Sequence, residues 1–253
     1  MSTPLFSCVV PVKGARPFMD AALASLSAQE MGDDLEVIVQ DGDVEPDAGQ
    51  SDALNRGFAK ARGDWLFWLN ADDILLPGAL RAVARVIASD SGVRWITGNE
   101  VFVDAMGRIV SCAVGHAWRE GLSCQTVPHV YGPSSFFRRE LFMSVGGCDR
   151  ALRFCMDWDL WIRFGQQGAR FRRLPLYLWA QRRWTGSKTQ RRLESEEARC
   201  QWGEIDAMLR KNGFRVTVGG LWRLRLWRLL CGCYLREWVD TCRWRGRTLD
   251  ALG

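Results

Sequence analysis

Asp72 and Asp73 stand side by side after the run Trp65-Leu66-Phe67-Trp68-Leu69, so two carboxylates are held at the rim of a buried strand. Hard divalent cations prefer oxygen ligands, and magnesium typically takes one or two carboxylates together with substrate phosphates. The pair therefore suits a nucleotide-bound metal, although an acidic helix N-terminus near Pro77 is the plainer use of the same residues. Asp41 follows a second apolar run, Leu35 to Val39. A carboxylate there can accept hydrogen bonds from a base or ribose, or simply form an Asp-Gly turn with Gly42. Asp157 and Asp159 flank Trp158 among Phe154, Trp161 and Phe164. A carboxylate partly withdrawn from water holds its proton more tightly and can take one from a hydroxyl; the competing use is a helix N-cap.

Positioning these carboxylates requires ordered elements, and the chain supplies them in alternation. Phe6 to Val12 reads as a strand entering a loop at Gly14, and Pro17 opens a helix with Met19, Ala22, Leu23 and Leu26 on one face. Leu35 to Val39 is a second strand, and Ser51 or Asp52 caps a helix that Gly63 ends. Trp65 to Leu69 is a third strand, after which Pro77 opens a helix carrying Leu80, Val83 and Ile87. Strand and helix alternating over residues 5 to 88 imply parallel βαβ units. Ligands of such sheets bind beyond the carboxyl ends of the strands, where PVKG, DGD and NADD all lie.

The second half reads differently. Trp95 to Val103, a turn at residues 104–107 and Arg108 to Ala113 form a hairpin. Ser134 to Phe137 is a short strand before a helix from Arg138 to Val145, and Cys155 opens a helix through Gln167. Residues 190 to 253 read as appended helices. The fold class is thus α/β, a Rossmann-like and mostly parallel sheet flanked by helices, with a C-terminal helical appendage.

Composition narrows the chemistry. The 253 residues hold 9 cysteines and 2 histidines. Cysteines without paired spacing argue against a disulfide framework or a zinc ribbon and favour a reducing cytosol. With only His116 and His129 present, carboxylates must carry most acid/base or metal chemistry. Neither a signal peptide nor a spanning run of about 18 apolar residues is legible.

Four blocks in order, FSCVVPVKG, EVIVQDGD, EPDAGQSDALNRGFAKARGDWLFWLNADDILLPGAL and GGCDRALRFCMDWDLWIRF, resemble the family 2 glycosyltransferases of the GT-A fold over about residues 5 to 190. The resemblance implies transfer of a sugar, with inversion, from a nucleotide-diphosphate donor, a UDP-sugar foremost, to an acceptor hydroxyl in cell-surface polysaccharide or lipid-linked glycan synthesis. It implies a GT-A domain over 1–190, with a nucleotide-binding half at about 1–100 and an acceptor half at about 101–190, followed by a helical extension over 191–253. Pro11 would line the base and Asp41 would hydrogen-bond it. Gln50, Ser51 and Asp52 match a stretch near the nucleotide and donor sugar, Asp72 would face the ribose, and Asp73 would face a diphosphate-bound Mg or Mn ion. Asp157 would deprotonate the acceptor. Two positions depart from the family pattern: the first loop reads Val12-Lys13-Gly14, and Trp184 takes the place of a histidine before Ser187-Lys188-Thr189. Arg182, Arg183 or Lys188 then become the groups that neutralise diphosphate charge. The other readings are a non-catalytic nucleotide-sugar or membrane-binding subunit and a nucleotidyltransferase, for which PVKGARP is a poor phosphate loop.

The net charge of +5 is localised. Seven arginines between Leu221 and Arg247 oppose only Glu237 and Asp240, which leaves the rest of the chain neutral. On a single continuous wheel Arg225, Arg228 and Arg236 share one stripe with Gly232, and tryptophans and leucines spread around the rest. A wide apolar face beside arginines reads as an interfacial membrane helix, so the tail is expected to place the protein on the inner face of the membrane, or else to pack on the catalytic domain. Nucleic acid is disfavoured as a partner because the body is neutral and carries no recognised binding module.

Overall fold

The computed structural model describes residues 3–14, 16–124, 130, 132–187 and 197–252. Strand β1 (Phe6–Val12) is buried along nearly its whole length and lies parallel to β2 (Leu35–Asp41) on one side and β3 (Trp65–Trp68) on the other. The register pairs Val12 with Asp41, and the Leu69 N–H reaches the Val9 carbonyl. The three strands therefore end together, and the loops carrying Lys13, Asp41 and Asp72 emerge at one edge.

Helices α1 (Met19–Ser27), α2 (Gln50–Lys60) and α3 (Ala79–Ser89) bury their apolar faces against this sheet. Close approach of α2 depends on Gly57, where a Cβ would lie 2.5 Å from the Val9 side chain. Two expectations fail at the ends of α2. Its N-cap is Gly49, at φ +127°, with no side-chain cap, because Ser51 and Asp52 fall inside the first turn. Its last helical residue is Lys60, short of Gly63, which instead lies against the β1 backbone.

Beyond β3 the sheet becomes mixed. β5 (Trp95–Val103) and β6 (Ile109–Ala113) form the expected antiparallel hairpin, and β7 (Ser135–Arg138) runs antiparallel to both β3 and β5. The longest strand, β8 (Phe171–Arg182), was not anticipated. It lies parallel to β5 and antiparallel to the two-residue β4 (Ile74–Leu75). Its sequence hides it: Pro175 interrupts the apolar pattern, and the ladder accommodates this by stepping from Thr97↔Arg173 to Asn99↔Tyr177, so the proline sits in a bulge. Strand order among the described residues is β2-β1-β3-β7-β5-β8-β4, with β6 on β5.

A short α4 (Glu120–Ser123) follows β6, α5 (Arg139–Ser144) and α6 (Met156–Gln166) follow β7, and three C-terminal helices come last, α7 (Glu197–Lys211), α8 (Val218–Leu230) and α9 (Cys233–Trp244). Helix α7 packs Ile205, Met208 and Leu209 against Cys155, Trp158 and Ile162. The single-wheel reading of the tail is corrected here, because Gly232 in the left-handed region, at φ +67°, separates α8 from α9. Arg228 and Arg236 therefore belong to different helices and point to different partners. All nine cysteines are free thiols. No helix among the described residues is long and apolar enough to cross a membrane.

Candidate active site

A cavity of about 320 Å³ opens where β1 and β3 end. Of the residues singled out above, Pro11, Gln50, Asp72 and Asp73 line it, joined by Lys13, Arg16, Asn70, Arg182 and Trp184. Its floor is one hydrogen-bonded chain. Gln50 Nε2 donates to Asn70 Oδ1 at 2.9 Å, Asn70 Nδ2 donates to Asp73 Oδ2 at 2.8 Å, and the Arg182 backbone N–H donates to Asp73 Oδ1 at 3.0 Å. Helix α2, the loop after β3 and the end of β8 are thereby tied together across the cavity. Burial first, and then the neighbouring charge of Asp72, push the Asp73 carboxyl well above its ordinary value, against the donors from Arg182 and Asn70.

Asp72 is held from the opposite wall, where Trp184 Nε1 donates to its Oδ2 at 2.8 Å. The Trp184 ring meets Phe18 edge-on at 5.4 Å and lies so close to Gly186 that a Cβ there would fall 2.0 Å from it. Arg182 lines the cavity, but its guanidinium is committed to structure: Nε donates to the Asp72 carbonyl at 3.1 Å and Nη1 to those of Asp104 and Ala105. Arg183, one residue on, turns away and lies over the Phe102 ring at 3.7 Å. Burial lowers its pKa, opposed by the charge of Glu100. Lys188 falls outside the described residues.

Asp41 sits beside the cavity, where Arg16 grips both its oxygens at 2.6 and 2.8 Å and also reaches Asp43. The hydrogen bonds from Arg16 hold Asp41 below the usual carboxylate range. Ser51 and Asp52 do not line the cavity. The Ser51 hydroxyl donates to the Leu152 carbonyl at 2.8 Å, while buried Asp52 accepts the Ala48 N–H and pairs with Arg56 and Arg150. The backbone bond from Ala48 and the two arginines hold Asp52 below its ordinary value, against burial. This pair secures the loop before α2 and ties it to the segment before α6.

Asp157 does not line this cavity; it lies in the first turn of α6, where its Oδ1 accepts the Trp158 N–H at 2.8 Å. It is not the cap of that helix. Glu204 of α7 instead holds the chain just before that helix, accepting the backbone N–H groups of Arg153, Phe154 and Cys155 at 2.6 to 3.0 Å. Gly132 allows the chain to close over this corner, since a Cβ there would meet Trp68 at 2.6 Å and lie 3.5 Å from Asp157 Oδ2. Asp159 is structural, its carboxylate held by Arg163 and Asn212. Between the two carboxylate centres stands Glu100, which the sequence reading missed. It is buried on β5 and pushed well above its ordinary value by that burial and then by the charge of Asp73, with Asp157 and Glu237 adding to the shift and Arg183 opposing it.

The cavity is chemically suited to a hard divalent cation. Asp72 and Asp73 present adjacent carboxylates, one of them buried, and no ion pair among the described residues neutralises either. An all-oxygen donor set completed by substrate phosphates is what magnesium or manganese uses. No group of three or more His, Cys, Asp or Glu side chains that could hold a metal occurs among the described residues, so most ligands would have to come from a bound diphosphate and water.

Residues 44–146 match the family model Glycosyl transferase family 2. A PGL/p-HBAD biosynthesis glycosyltransferase of Mycobacterium bovis is 27% identical over 188 residues, covering 64% of this chain and 70% of that protein. The O-antigen biosynthesis protein RfbC of Myxococcus xanthus is 28% identical over 189 residues, 64% of this chain but only 14% of its own length. Among solved structures, S. aureus TarS 1-349 in complex with UDP-GlcNAc superimposes with a TM-score of 0.56 at 14% identity, over 72% of this chain and 59% of that one. The mannosyltransferase PcManGT from Pyrobaculum calidifontis, in complex with GDP-Man and Mn2+, gives 0.57 at 17% identity, over 81% and 64%. The chain spans less than two thirds of either solved structure. Over residues 44–146 the chain matches the family 2 glycosyltransferases, and its fold is that of GT-A-type glycosyltransferases.

Proposed function

We propose that the protein transfers a sugar from a nucleoside-diphosphate sugar, a UDP-sugar foremost, to an acceptor hydroxyl with inversion. The observation that carries this reading is the convergence of Pro11, Gln50, Asp72 and Asp73 on one cavity at the carboxyl ends of β1 and β3. The base would lie along Pro11 with Asp41 and Arg16 at its edge, and Asp72 would meet the ribose. Asp73, with Asp72, would hold a Mg or Mn ion that neutralises charge developing on the departing diphosphate. Lys13 and Arg16 line the same cavity and would share that task. Asp157 takes the proton of the acceptor hydroxyl as its oxygen attacks the anomeric carbon from the face opposite the diphosphate. The bond to the nucleoside diphosphate breaks, and its electron pair leaves with the phosphate oxygen. The nucleotide sugars named with the solved neighbours support this donor class.

The acceptor we propose is a lipid-linked glycan or a cell-surface polysaccharide, met at the cytoplasmic face of a membrane through residues 221–247. Relatives in PGL/p-HBAD and O-antigen biosynthesis support this. The test is a panel of UDP-, GDP- and dTDP-sugars with Mn or with chelator, read by release of nucleoside diphosphate and by the anomeric configuration of the product. Turnover with inversion that Asp157→Ala abolishes is the expected result. Retention of configuration, or full turnover in that variant, overturns the mechanism. Failure to bind any nucleotide sugar in the presence of Mn overturns the donor class.

A further inference from the structure

Helices α8 and α9 are built inside out. Helix α8 buries Gly220, Leu224 and Arg228 against the body of the protein and presents Val218, Trp222, Leu226, Leu229 and Leu230 to solvent, with Trp222 65% and Leu230 73% exposed. At 100° per residue these five side chains occupy an arc of about 120°, with Arg225 at one margin and Arg223 at the other. Helix α9 repeats the inversion. Three of its polar side chains face inward: Thr241 accepts the Cys112 N–H, Glu237 accepts that of Val114, and Asp240 accepts the Tyr177 hydroxyl. Leu235, Trp238 and Val239 face out, Trp238 at 66% exposure. A surface helix of a globular protein ordinarily does the reverse, and apolar surface of this extent on a monomer marks a contact.

The charge says what covers it. Arg228 pairs with Glu237 and Arg236 with Asp240. Arg223, Arg225, Arg243, Arg245 and Arg247 stay exposed, and none is in an ion pair among the described residues. These five equal the whole net charge of +5. A second copy docking by the same face would bring like charges together, whereas an anionic bilayer offers apolar depth and negative headgroups in one surface. We propose that the α8–α9 hairpin is a preformed membrane-docking element, its outward tryptophans and leucines seated at the headgroup boundary and its marginal arginines on anionic headgroups. This surface rests on the membrane placement proposed above and is independent of the sugar chemistry.

The experiment is flotation of the full chain with phosphatidylcholine vesicles, with and without phosphatidylglycerol, beside a Trp222→Ser/Leu230→Ser/Trp238→Ser variant and an Arg223→Gln/Arg225→Gln/Arg243→Gln variant. Circular dichroism and the thermal shift with nucleotide sugar establish that each variant is folded. The wild type should float with the anionic vesicles, the apolar variant should lose flotation, and the arginine variant should lose about fivefold in affinity for each arginine removed. Wild type that floats while both variants float equally well overturns the hairpin and the placement through residues 221–247, and leaves membrane attachment to another surface. Wild type that floats with neither vesicle overturns both. Equal flotation with both vesicles overturns the anionic preference, and a dimer in light scattering that the apolar variant dissociates assigns the face to a second copy instead.

Discussion

Asp73 in the cleft and Glu100 beside it are buried, neither is in an ion pair among the described residues, and each is pushed toward its neutral form by that burial. In the α8–α9 hairpin Arg228 is equally buried, yet both its terminal nitrogens are engaged: Nη2 meets Glu237 and Nη1 donates to the Val114 carbonyl at 2.9 Å. The surfaces contrast in the same way. The cleft lines its opening with carboxylates and cations above an apolar sheet, while the hairpin hides its ionic pair and shows tryptophan and leucine to water. Burying a charge is costly unless it is paired and hydrogen-bonded. The ion pair at Arg228 marks an anchor that fixes the hairpin to the sheet, whereas Asp73, hydrogen-bonded but in no ion pair among the described residues, is where the proposed ion would complete the charge balance.

The contrast can be broken at either end. The largest expected effect is on turnover: Asp157→Asn should lower kcat by about 10²- to 10⁴-fold, the range for loss of a general base, with nucleotide-sugar affinity measured by calorimetry unchanged. A comparable loss of affinity would instead place Asp157 in donor binding. Next comes the anchor. Arg228→Met removes one partner of a buried pair and should destabilise the hairpin by about 3 kcal/mol, near the low end for such pairs because Glu237 retains some contact with water. Hydrogen exchange should show the loss concentrated in α8 and α9, and uniform loss across the sheet would mean that the hairpin is not a separate unit of stability.

Glu100→Gln probes the uncompensated charge through pH. Because the folded protein raises the Glu100 pKa, it binds this proton more tightly than the unfolded chain does, and stability is lost as pH rises from the ordinary carboxylate range through the raised folded value. The glutamine variant should therefore match wild type near pH 4 and be more stable at pH 8 in urea unfolding; a destabilised variant at pH 8 would mean that the Glu100 charge is compensated after all. The smallest effect belongs to Trp184→Phe, which deletes the donor to Asp72 while keeping the ring on Phe18. Loss of one hydrogen bond of about 1 kcal/mol should weaken nucleotide-sugar binding about fivefold, and unchanged affinity would remove Trp184 from the donor site.

Much of the donor cleft was legible because its carboxylates directly follow strands. Asp72 and Asp73 must emerge at the rim once residues 65–68 are a buried parallel strand, and the Val12↔Asp41 register brings the first two loops to the same edge. What was not legible are contacts between residues far apart in the chain. Nothing local in GQSD tells that Gln50 turns into the cavity while Ser51 and Asp52 turn toward Leu152 and Arg150, since successive helical positions differ by about 100° and only the packed sheet selects the inward one. Arg16 on Asp41, Trp184 on Asp72, Glu204 on the segment before α6 and the burial of Glu100 have the same origin. The strand at residues 171–182 was hidden because its proline is tolerable only once a bulge forms against β5.

The sequence by itself determined the alternation of strand and helix, the residue types available for chemistry, and the placing of all net positive charge between Leu221 and Arg247, because these depend on composition and local periodicity. Tertiary structure decided which face of each helix is buried. Period alone cannot do this for α8 and α9, where a break at Gly232 and the pairing of Arg228 with Glu237 turn the polar side inward and leave the apolar side to find its partner outside the chain.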